Sequence, residues 1–219
     1  MPQFIVHTVP GSPFARSVLA TLIEKSERFS IAPIAPGTTK SEAFLKLHPF
    51  GRMPVLQHGD FVLYETQAIL RYLDRVLPKP ALTPSDAKAA ARMDQLMNIC
   101  DWYLFQGVCN VIVFHRVVGP KLMGLAPDEA AIAAAMPKAR TVIAELDRLL
   151  GDKPWLAGDH LSLADLHVAP QLDFLAQTPE WTELSAPVPR LAAWLSRSNA
   201  RDSMTATTWE RVAALAQAA

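Results

Sequence analysis

A proline-rich segment divides this chain into two parts of different character and constrains its fold more than any other feature. Residues 77–84 read Leu-Pro-Lys-Pro-Ala-Leu-Thr-Pro, with three prolines in seven residues. Proline lacks an amide hydrogen and fixes φ, so this run cannot continue a helix and favours an extended linker. We therefore predict two domains, over residues 1–78 and 86–219, joined by a linker over residues 79–85.

Short strand and helix patterns alternate in the first part. Gln3–Thr8 and Phe29–Ala35 are typical of strands, and between them Ser12 and Pro13 are the N-cap and first residue of a helix. Two further strand patterns flank His58-Gly59-Asp60, a turn typical of a β-hairpin, and another helix follows. The order βαβ then ββα predicts a four-stranded mixed sheet with helices packed against it.

The second part is rich in Ala and Leu at helical spacing, which predicts an all-helical bundle. Its main helical patterns cover residues 86–118, 127–150, 189–199 and 205–218. Ser162 and Asp165 have the spacing of a capping box, in which the acidic residue supports folding rather than catalysis. The predicted fold class is thus an α/β domain followed by an all-α domain.

Charge and cysteine content indicate which partners and which cellular compartment to expect. Lys plus Arg and Asp plus Glu are each 21, so no bulk attraction favours nucleic acid or an anionic membrane. The two cysteines form no disulfide framework, which is typical of a reducing cytosol. The N-terminus shows no signal-peptide pattern, and the longest apolar run, Trp102–Phe114, is shorter than the ~20 residues that span a bilayer. We expect a cytoplasmic protein.

No metal is predicted, because the scattered histidines show no Cys/His or His/carboxylate set at ligand spacing. These histidines are His7, His58, His160 and His167.

Two positions in the first part have both a structural and a functional interpretation. Ser12 is either an ordinary N-cap or a hydroxyl that donates to a thiolate at the positive end of a helix. Met53 precedes Pro54 at a strand start; this is either a common trans bond or a cis bond that lets the Met53 backbone pair with a peptide.

A second helix start offers a complementary set of groups. Glu65 and Thr66 are either a plain cap or a site for an amino-acid head group, with the helix for its carboxylate and Glu65 for its amine. Lys40 and Arg52 are either solvated charges or ligands of the same site. Together these residues indicate a site for a small, doubly carboxylated peptide that carries a thiol.

Four stretches carry a resemblance to a known family. They are Ser12–Leu19, His48–Leu56, Leu63–Ile69 and Leu156–His167. In this order and spacing the chain resembles the cytosolic glutathione transferases, in a bacterial form closest to the phi-like serine group. The resemblance implies a thioredoxin-like N-terminal domain, a helical C-terminal domain, glutathione as co-substrate, a homodimer and a role in detoxification.

The same resemblance assigns roles by position. Ser12 would stabilise the glutathione thiolate, Met53 would pair with the cysteinyl part before a cis Pro54, and Glu65 and Thr66 would hold the γ-glutamyl end. Lys40 would neutralise the glycyl carboxylate, whereas Arg52 stands where the family often has Gln or Lys. Asp165 would cap a helix. His48 replaces the usual Asn, and no cysteine precedes residue 100, which argues against the cysteine-type members.

The second substrate is expected to be a small hydrophobic electrophile in an apolar cleft. Phe14, His115 and Met123 are our candidates for its lining, and core or dimer packing is the alternative. The hypothesis is a transferase with a possible peroxidase side activity. The alternatives are a non-catalytic ligand-binding or regulatory protein on the same scaffold and a glutathione-dependent disulfide reductase.

Overall fold

The computed structural model describes residues 3–35 and 37–217, which form two compact units. The first unit holds the described residues up to Ala81 together with those from Ala200 onward. The second unit is Leu82–Asn199. The division between them near residue 81 falls inside the proline-rich segment.

The first unit begins with the βαβ and ββα order that the sequence predicts. Its elements are β1 (Phe4–Thr8), α1 (Pro13–Glu24), β2 (Phe29–Pro33), a 3₁₀ turn (Thr38–Lys40), α2 (Glu42–Leu47), β3 (Val55–His58), β4 (Phe61–Tyr64) and α3 (Thr66–Val76). The four strands form one sheet in the order β2-β1-β3-β4. β1 is parallel to β2 and antiparallel to β3, and β4 is antiparallel to β3, so the mixed, thioredoxin-like sheet is confirmed.

The core of this unit follows from the helical periodicity. α1 and α3 contact each other and bury apolar residues at spacings of three and four. These residues include Val18, Leu19, Leu22, Ile69, Leu70 and Leu73. Phe4 and Val6 of β1 are both buried, because successive residues of a strand point to opposite faces and these two share one face.

The second unit is built from helices, as predicted. Its elements are α4 (Ala87–Ile99), a π-helical stretch (Cys100–Cys109), α5 (Asn110–Val113), a second π-helical stretch (Phe114–Val118), α6 (Gly119–Met123), α7 (Glu129–Leu150), α8 (Leu163–Leu175), α9 (Glu180–Ser185) and α10 (Pro189–Asn199). α8 is buried along almost its whole length and contacts α4, α10 and the first π-helical stretch. It is therefore the central helix of this unit.

A buried carboxylate fixes the start of α8. Asp165 accepts hydrogen bonds from the amides of Leu156 (2.8 Å) and Ser162 (2.9 Å), from the Ser162 hydroxyl (2.6 Å) and from Trp194 Nε1 (2.8 Å). Burial raises the pKa of Asp165, and the hydrogen bonds that it accepts oppose that rise. The side chain thus joins the α8 N-terminus to α10 and to the loop before α8.

The long apolar helix expected over residues 86–118 is interrupted. At Gln106 (ψ 117°) and Gly107 (φ 81°) the backbone leaves helical geometry. The Gly107 amide donates to Asn110 Oδ1 (2.6 Å), and Lys138 of α7 donates to the Gln106 carbonyl. Glycine permits the left-handed conformation, and the two polar side chains satisfy the backbone groups that the break releases.

This apolar segment is longer than the sequence indicates. Ala87–Met123 is long and apolar enough to cross a membrane by length and composition, which corrects the expectation that no apolar run reaches that length. Of its most apolar window, 44% is buried inside the protein, and the backbone break at Gly107 interrupts the segment.

The C-terminal segment packs differently from the sequence expectation. The sequence groups residues 200–217 with the second domain, but in the structure α11 (Asp202–Thr205) and α12 (Trp209–Gln217) belong to the first unit. Arg201 forms a bidentate ion pair with Glu24 (2.7 Å for each bond), and Ser203 donates to the same carboxylate (2.6 Å). Arg16 of α1 donates to the Met204 carbonyl (3.0 Å). These partners are far apart in sequence, so no local pattern reveals them.

We expect Asp165→Ala to lower the free energy of unfolding by roughly 3 kcal/mol or more, because several buried donors lose their acceptor. Asp165→Asn should cost less, since its amide keeps one oxygen acceptor. Urea denaturation followed by circular dichroism measures both variants. A loss below about 1 kcal/mol for Asp165→Ala would contradict this account.

Candidate glutathione site

Three chain segments meet at one edge of the sheet in the first unit. β1 and β4 point the same way because both are antiparallel to β3. At this edge His7 pairs with Val55, and Val55 pairs with Tyr64. The turn after β1, the residues before β3 and the residues after β4 therefore lie side by side, although the sequence separates them by about 40 and 10 residues.

Ser12 lies at the first of these segments, as the N-cap of α1. Its extended backbone (φ −78°, ψ 114°) ends the turn after β1, and its Oγ accepts the Ala15 amide hydrogen at 3.2 Å. Among the described residues, no acceptor takes the Ser12 hydroxyl proton. The side chain is half-buried, so it can donate to a ligand atom placed at the positive end of the helix.

Met53 and Pro54 lie at the second segment, immediately before β3. Their peptide bond is cis, as the resemblance implies. Pro54 is buried and Met53 is half-buried. Met53 also packs against the small core of Ile34, Phe44 and Val55 that lies under this end of the sheet.

Glu65 and Thr66 lie at the third segment, where β4 passes into α3. Glu65 is the N-cap and has φ 71° and ψ 113°, an unfavourable conformation for a residue with a Cβ. Such strain costs on the order of 1–3 kcal/mol and is concentrated at ligand sites. The Glu65 side chain is exposed, while Thr66 is buried at the first helical position.

His48 interacts electrostatically with three charged residues of this site. It is 2% exposed, stacks on Tyr64 (ring centroids 4.6 Å apart) and accepts the Phe50 amide hydrogen at its Nδ1 (3.3 Å). Burial lowers the pKa of His48; the Glu65 carboxylate opposes this, whereas the nearby Arg52 and Lys40 cations add to it. The sequence shows His48 only as a departure from the family pattern, and its central place comes from the tertiary fold.

The two loop cations lie beside the Met53 segment. Lys40 Nζ donates to the Phe50 carbonyl at 2.9 Å and lies against Gly51, where an added Cβ would be 2.9 Å from Nζ. Arg52 is exposed. The site therefore presents one anionic group, Glu65, and two cationic groups within the electrostatic range of a single imidazole.

The candidates for the second substrate lie in both units. Phe14 is in the first turn of α1, in the first unit, and is half-buried. His115 and Met123 are in the second unit on a helical path that ends at Gly124 (φ 64°). His115 accepts the Asp128 amide hydrogen at 3.4 Å, and Met123 is 62% exposed.

One polar cluster contradicts the expectation that no set of metal-ligand residues comes together. Donor atoms of Cys100, Asp101 and His167 lie within 4.8 Å of one another, although His167 comes from α8 and the other two from the π-helical stretch. His167 Nε2 and Asp101 are hydrogen-bonded at 2.7 Å, and the Cys100 thiol donates to the His167 carbonyl at 3.5 Å. Burial raises the pKa of the Cys100 thiol well above its usual value, so it stays protonated and serves packing.

The sequence matches two domains of one family. The glutathione S-transferase N-terminal domain matches residues 11–76, and the glutathione S-transferase C-terminal domain matches residues 109–202. The fold and these two matches define a two-domain transferase of the glutathione S-transferase class, with a thioredoxin-like N-terminal domain.

Individual relatives match this chain over more than two thirds of its length. A glutathione S-transferase of Hyoscyamus muticus is 32% identical over 200 residues, covering 90% of this chain and 93% of the relative. Human glutathione S-transferase theta-2B is 34% identical over 76% of this chain and 68% of the relative. The chain therefore belongs to the glutathione S-transferase family.

Solved structures show the same fold. The apo form of glutathione S-transferase III superposes with a TM-score of 0.84 at 32% identity, covering 98% of this chain and 97% of that one. A theta-class enzyme from the citrus canker pathogen Xanthomonas axonopodis pv. citri, solved with glutathione bound, has a TM-score of 0.82 at 26% identity, covering 95% and 98%.

We expect His48 to make the stability of the protein depend on pH. Its pKa is lower in the folded state than in the unfolded chain, so its contribution is fully present above the unfolded pKa of about 6.5. As pH falls below that value, protonation favours the unfolded chain and stability is lost. Urea unfolding at pH 7 and pH 5 should show a larger loss for the native protein than for His48→Asn, which does not titrate. Equal losses in the two proteins would exclude His48 as the cause.

Proposed function

We propose that this protein is a serine-type glutathione transferase of the phi-like group, in which Ser12 stabilises the thiolate of bound glutathione. The observation that carries the proposal is the geometry of Ser12. Its Oγ accepts the Ala15 amide hydrogen, which leaves the hydroxyl proton to be donated outward at the N-terminus of α1. A hydroxyl donor and the helix dipole both favour a negative charge at that point.

The nucleophile of the proposed reaction is the sulfur of glutathione itself. The thiol releases its proton to solvent, and the thiolate attacks an electrophilic carbon to form a carbon–sulfur bond. The leaving group departs with the bonding electron pair. The protein contributes thiolate stabilisation and proximity, and no covalent bond to the enzyme forms.

The spacing of the site suits a tripeptide. Ser12 follows β1 and Thr66 follows β4, and β3 lies between these strands. Two strand spacings of about 4.8 Å give about 10 Å between these two points. The γ-glutamyl residue, with its long γ-linkage, and the cysteinyl residue with its side chain can together span that distance. The sulfur at Ser12 and the γ-glutamyl end at Thr66 are thus compatible with one extended molecule that passes Met53 in the middle.

The charges of the site match the ends of this molecule. We assign the γ-glutamyl ammonium to Glu65 and its carboxylate to Thr66 and the first amides of α3. Lys40 and Arg52 are the cations for the glycyl carboxylate. The strained backbone of Glu65 supports this assignment, because such strain is retained where a ligand needs it.

The acceptor is a small hydrophobic electrophile, with a hydroperoxide as a secondary substrate. Leu122, Met123 and Leu125 are 47–62% exposed, and they provide an apolar surface in the second unit. Phe14, half-buried in the first turn of α1, is our candidate residue in the first unit. We also propose a cytosolic homodimer, supported by large exposed apolar side chains: Phe50 at 62%, Trp102 at 61% and Tyr103 at 56%.

A cysteine-based reductase is disfavoured by the position of the two cysteines. Cys100 and Cys109 are both buried, and burial raises the pKa of each thiol. A mixed disulfide with glutathione needs an accessible thiolate. A non-catalytic carrier would bind glutathione by the same residues without turnover.

We expect Ser12→Ala to reduce kcat for conjugation of an aryl halide by roughly 100-fold, because the thiolate loses its hydrogen-bond donor. The KM for glutathione should change much less, since the other anchors remain. Steady-state kinetics with both substrates separates the two effects. Ser17→Ala is the matched control, because Ser17 Oγ donates to the Pro13 carbonyl inside α1 and does not face the site in our assignment.

Two results decide between the proposed functions. Native kcat in Ser12→Ala would remove Ser12 from the mechanism. Glutathione binding without turnover of aryl halides, epoxides or hydroperoxides by the native protein would instead identify a carrier.

We expect Glu65→Gln to raise the KM for glutathione by about tenfold, because a charge-assisted hydrogen bond to the ammonium becomes a neutral one. kcat should change little, since Glu65 acts at the end of the molecule away from the sulfur. Glu42→Gln is the control: Glu42 is an exposed carboxylate paired with Lys46 on α2. An unchanged KM in Glu65→Gln would place the γ-glutamyl end elsewhere.

A further inference from the structure

A tryptophan of the C-terminal helix lies directly against the turn that carries Ser12. Gly11 precedes Ser12 and has φ 83°, and an added Cβ there would be 2.6 Å from Cδ2 and Cζ3 of Trp209. The position is therefore closed to any side chain both by its backbone conformation and by the indole ring. Trp209 is the first residue of α12 and is half-buried.

The segment that holds Trp209 is anchored to the same helix that Ser12 caps. Arg201 and Ser203 bind Glu24 near the end of α1, and the Met204 carbonyl accepts from Arg16 near its start. α12 also contacts β2. The ring thus comes from a segment fixed at several points on α1 and the sheet, all within the first unit.

From this geometry we infer that Trp209 is a positioning residue for Ser12: by packing on Gly11 it holds the turn after β1 so that the Ser12 hydroxyl keeps its aim at the sulfur. This inference rests on the proposed function. The ring acts through the backbone of Gly11 and does not itself touch the reacting atoms. Without the ring against Gly11, the turn would be free to move and the Ser12 hydroxyl would sample other directions. A hydrogen bond weakens steeply with such misalignment.

The inference has a definite sign. Loss of the ring leaves the hydroxyl less well aligned with the sulfur, so the pKa of the bound thiol rises. The part of the pH profile in which kcat/KM for the electrophile increases with pH, measured with glutathione saturating, then moves to higher pH. If the indole acted only by excluding water from the sulfur, its removal would lower the pKa of the bound thiol instead, because desolvation disfavours a thiolate.

The test compares Trp209→Ala with Arg201→Ala. Both loosen the C-terminal segment, but only the first removes the group that touches Gly11. The thiol pKa of bound glutathione is measured by ultraviolet difference titration, together with the pH profile of kcat/KM and the urea unfolding of each variant. We expect a rise of roughly one pH unit for Trp209→Ala and a clearly smaller shift for Arg201→Ala, because Ser203 and Arg16 still hold the segment. Trp209→Phe, which keeps a ring, should restore most of the native profile.

A double variant tests the route through Gly11. Gly11→Ala places a Cβ against the ring and should shift the profile in the same direction. The backbone strain of Gly11→Ala persists without the ring, but its clash with the ring does not. The combined shift should therefore be clearly smaller than the sum of the single shifts.

Several outcomes would overturn the inference. They are an unchanged or lowered thiol pKa in Trp209→Ala, an equal shift in Arg201→Ala, and additive shifts in the double variant. Failure of the proposed function is recognised separately: in that case native protein shows no lowered thiol pKa, or Ser12→Ala does not raise it.

Discussion

The candidate site depends on one constraint of strand direction. β1 and β4 run the same way with β3 reversed between them, so two strand ends and one strand start share an edge. Each of the two strand ends leads into a helix, and a helix N-terminus leaves amide hydrogens without partners inside the helix. The edge thus gathers two partly positive helix ends, α1 and α3, on the two sides of one strand. A ligand with several negative groups is suited to such an edge before any side chain is considered.

Side chains then specify which ligand this edge can hold. Ser12 adds a hydroxyl at one helix end, and Glu65 adds a carboxylate that acts on the buried His48. His48 stays neutral when its pKa is lowered, so it supports the loop from Phe50 to Met53 through stacking and one hydrogen bond without adding a third cation. In the proposed binding mode the sulfur lies at Ser12, the ammonium at Glu65 and the glycyl carboxylate at Lys40 and Arg52.

Stability and chemistry are carried by different polar groups. Asp165 is fully hydrogen-bonded within the second unit and organises α8, while Glu24 ties the C-terminal segment to α1 in the first unit. Cys100, Asp101 and His167 resemble a reactive set by composition, but burial keeps the thiol protonated. Asp165 and Glu24 are thus hydrogen-bonded by groups of the protein itself, whereas Ser12 at the sheet edge accepts the Ala15 amide hydrogen and keeps its own proton to donate.

The sequence by itself determined the strands and helices of residues 1–78 and offered the candidate site residues. Proline at residues 78–84, the N-cap of α1 and the hairpin turn are local signals, and the strands and helices of the first unit begin and end within a few residues of where those signals place them. Tertiary structure alone decided three other features: the break at Gly107, the grouping of residues 200–217 with the first unit, and the contact of Trp209 with Gly11. Each depends on partners distant in the chain, and periodicity records which face of a helix is apolar but not which element will cover it.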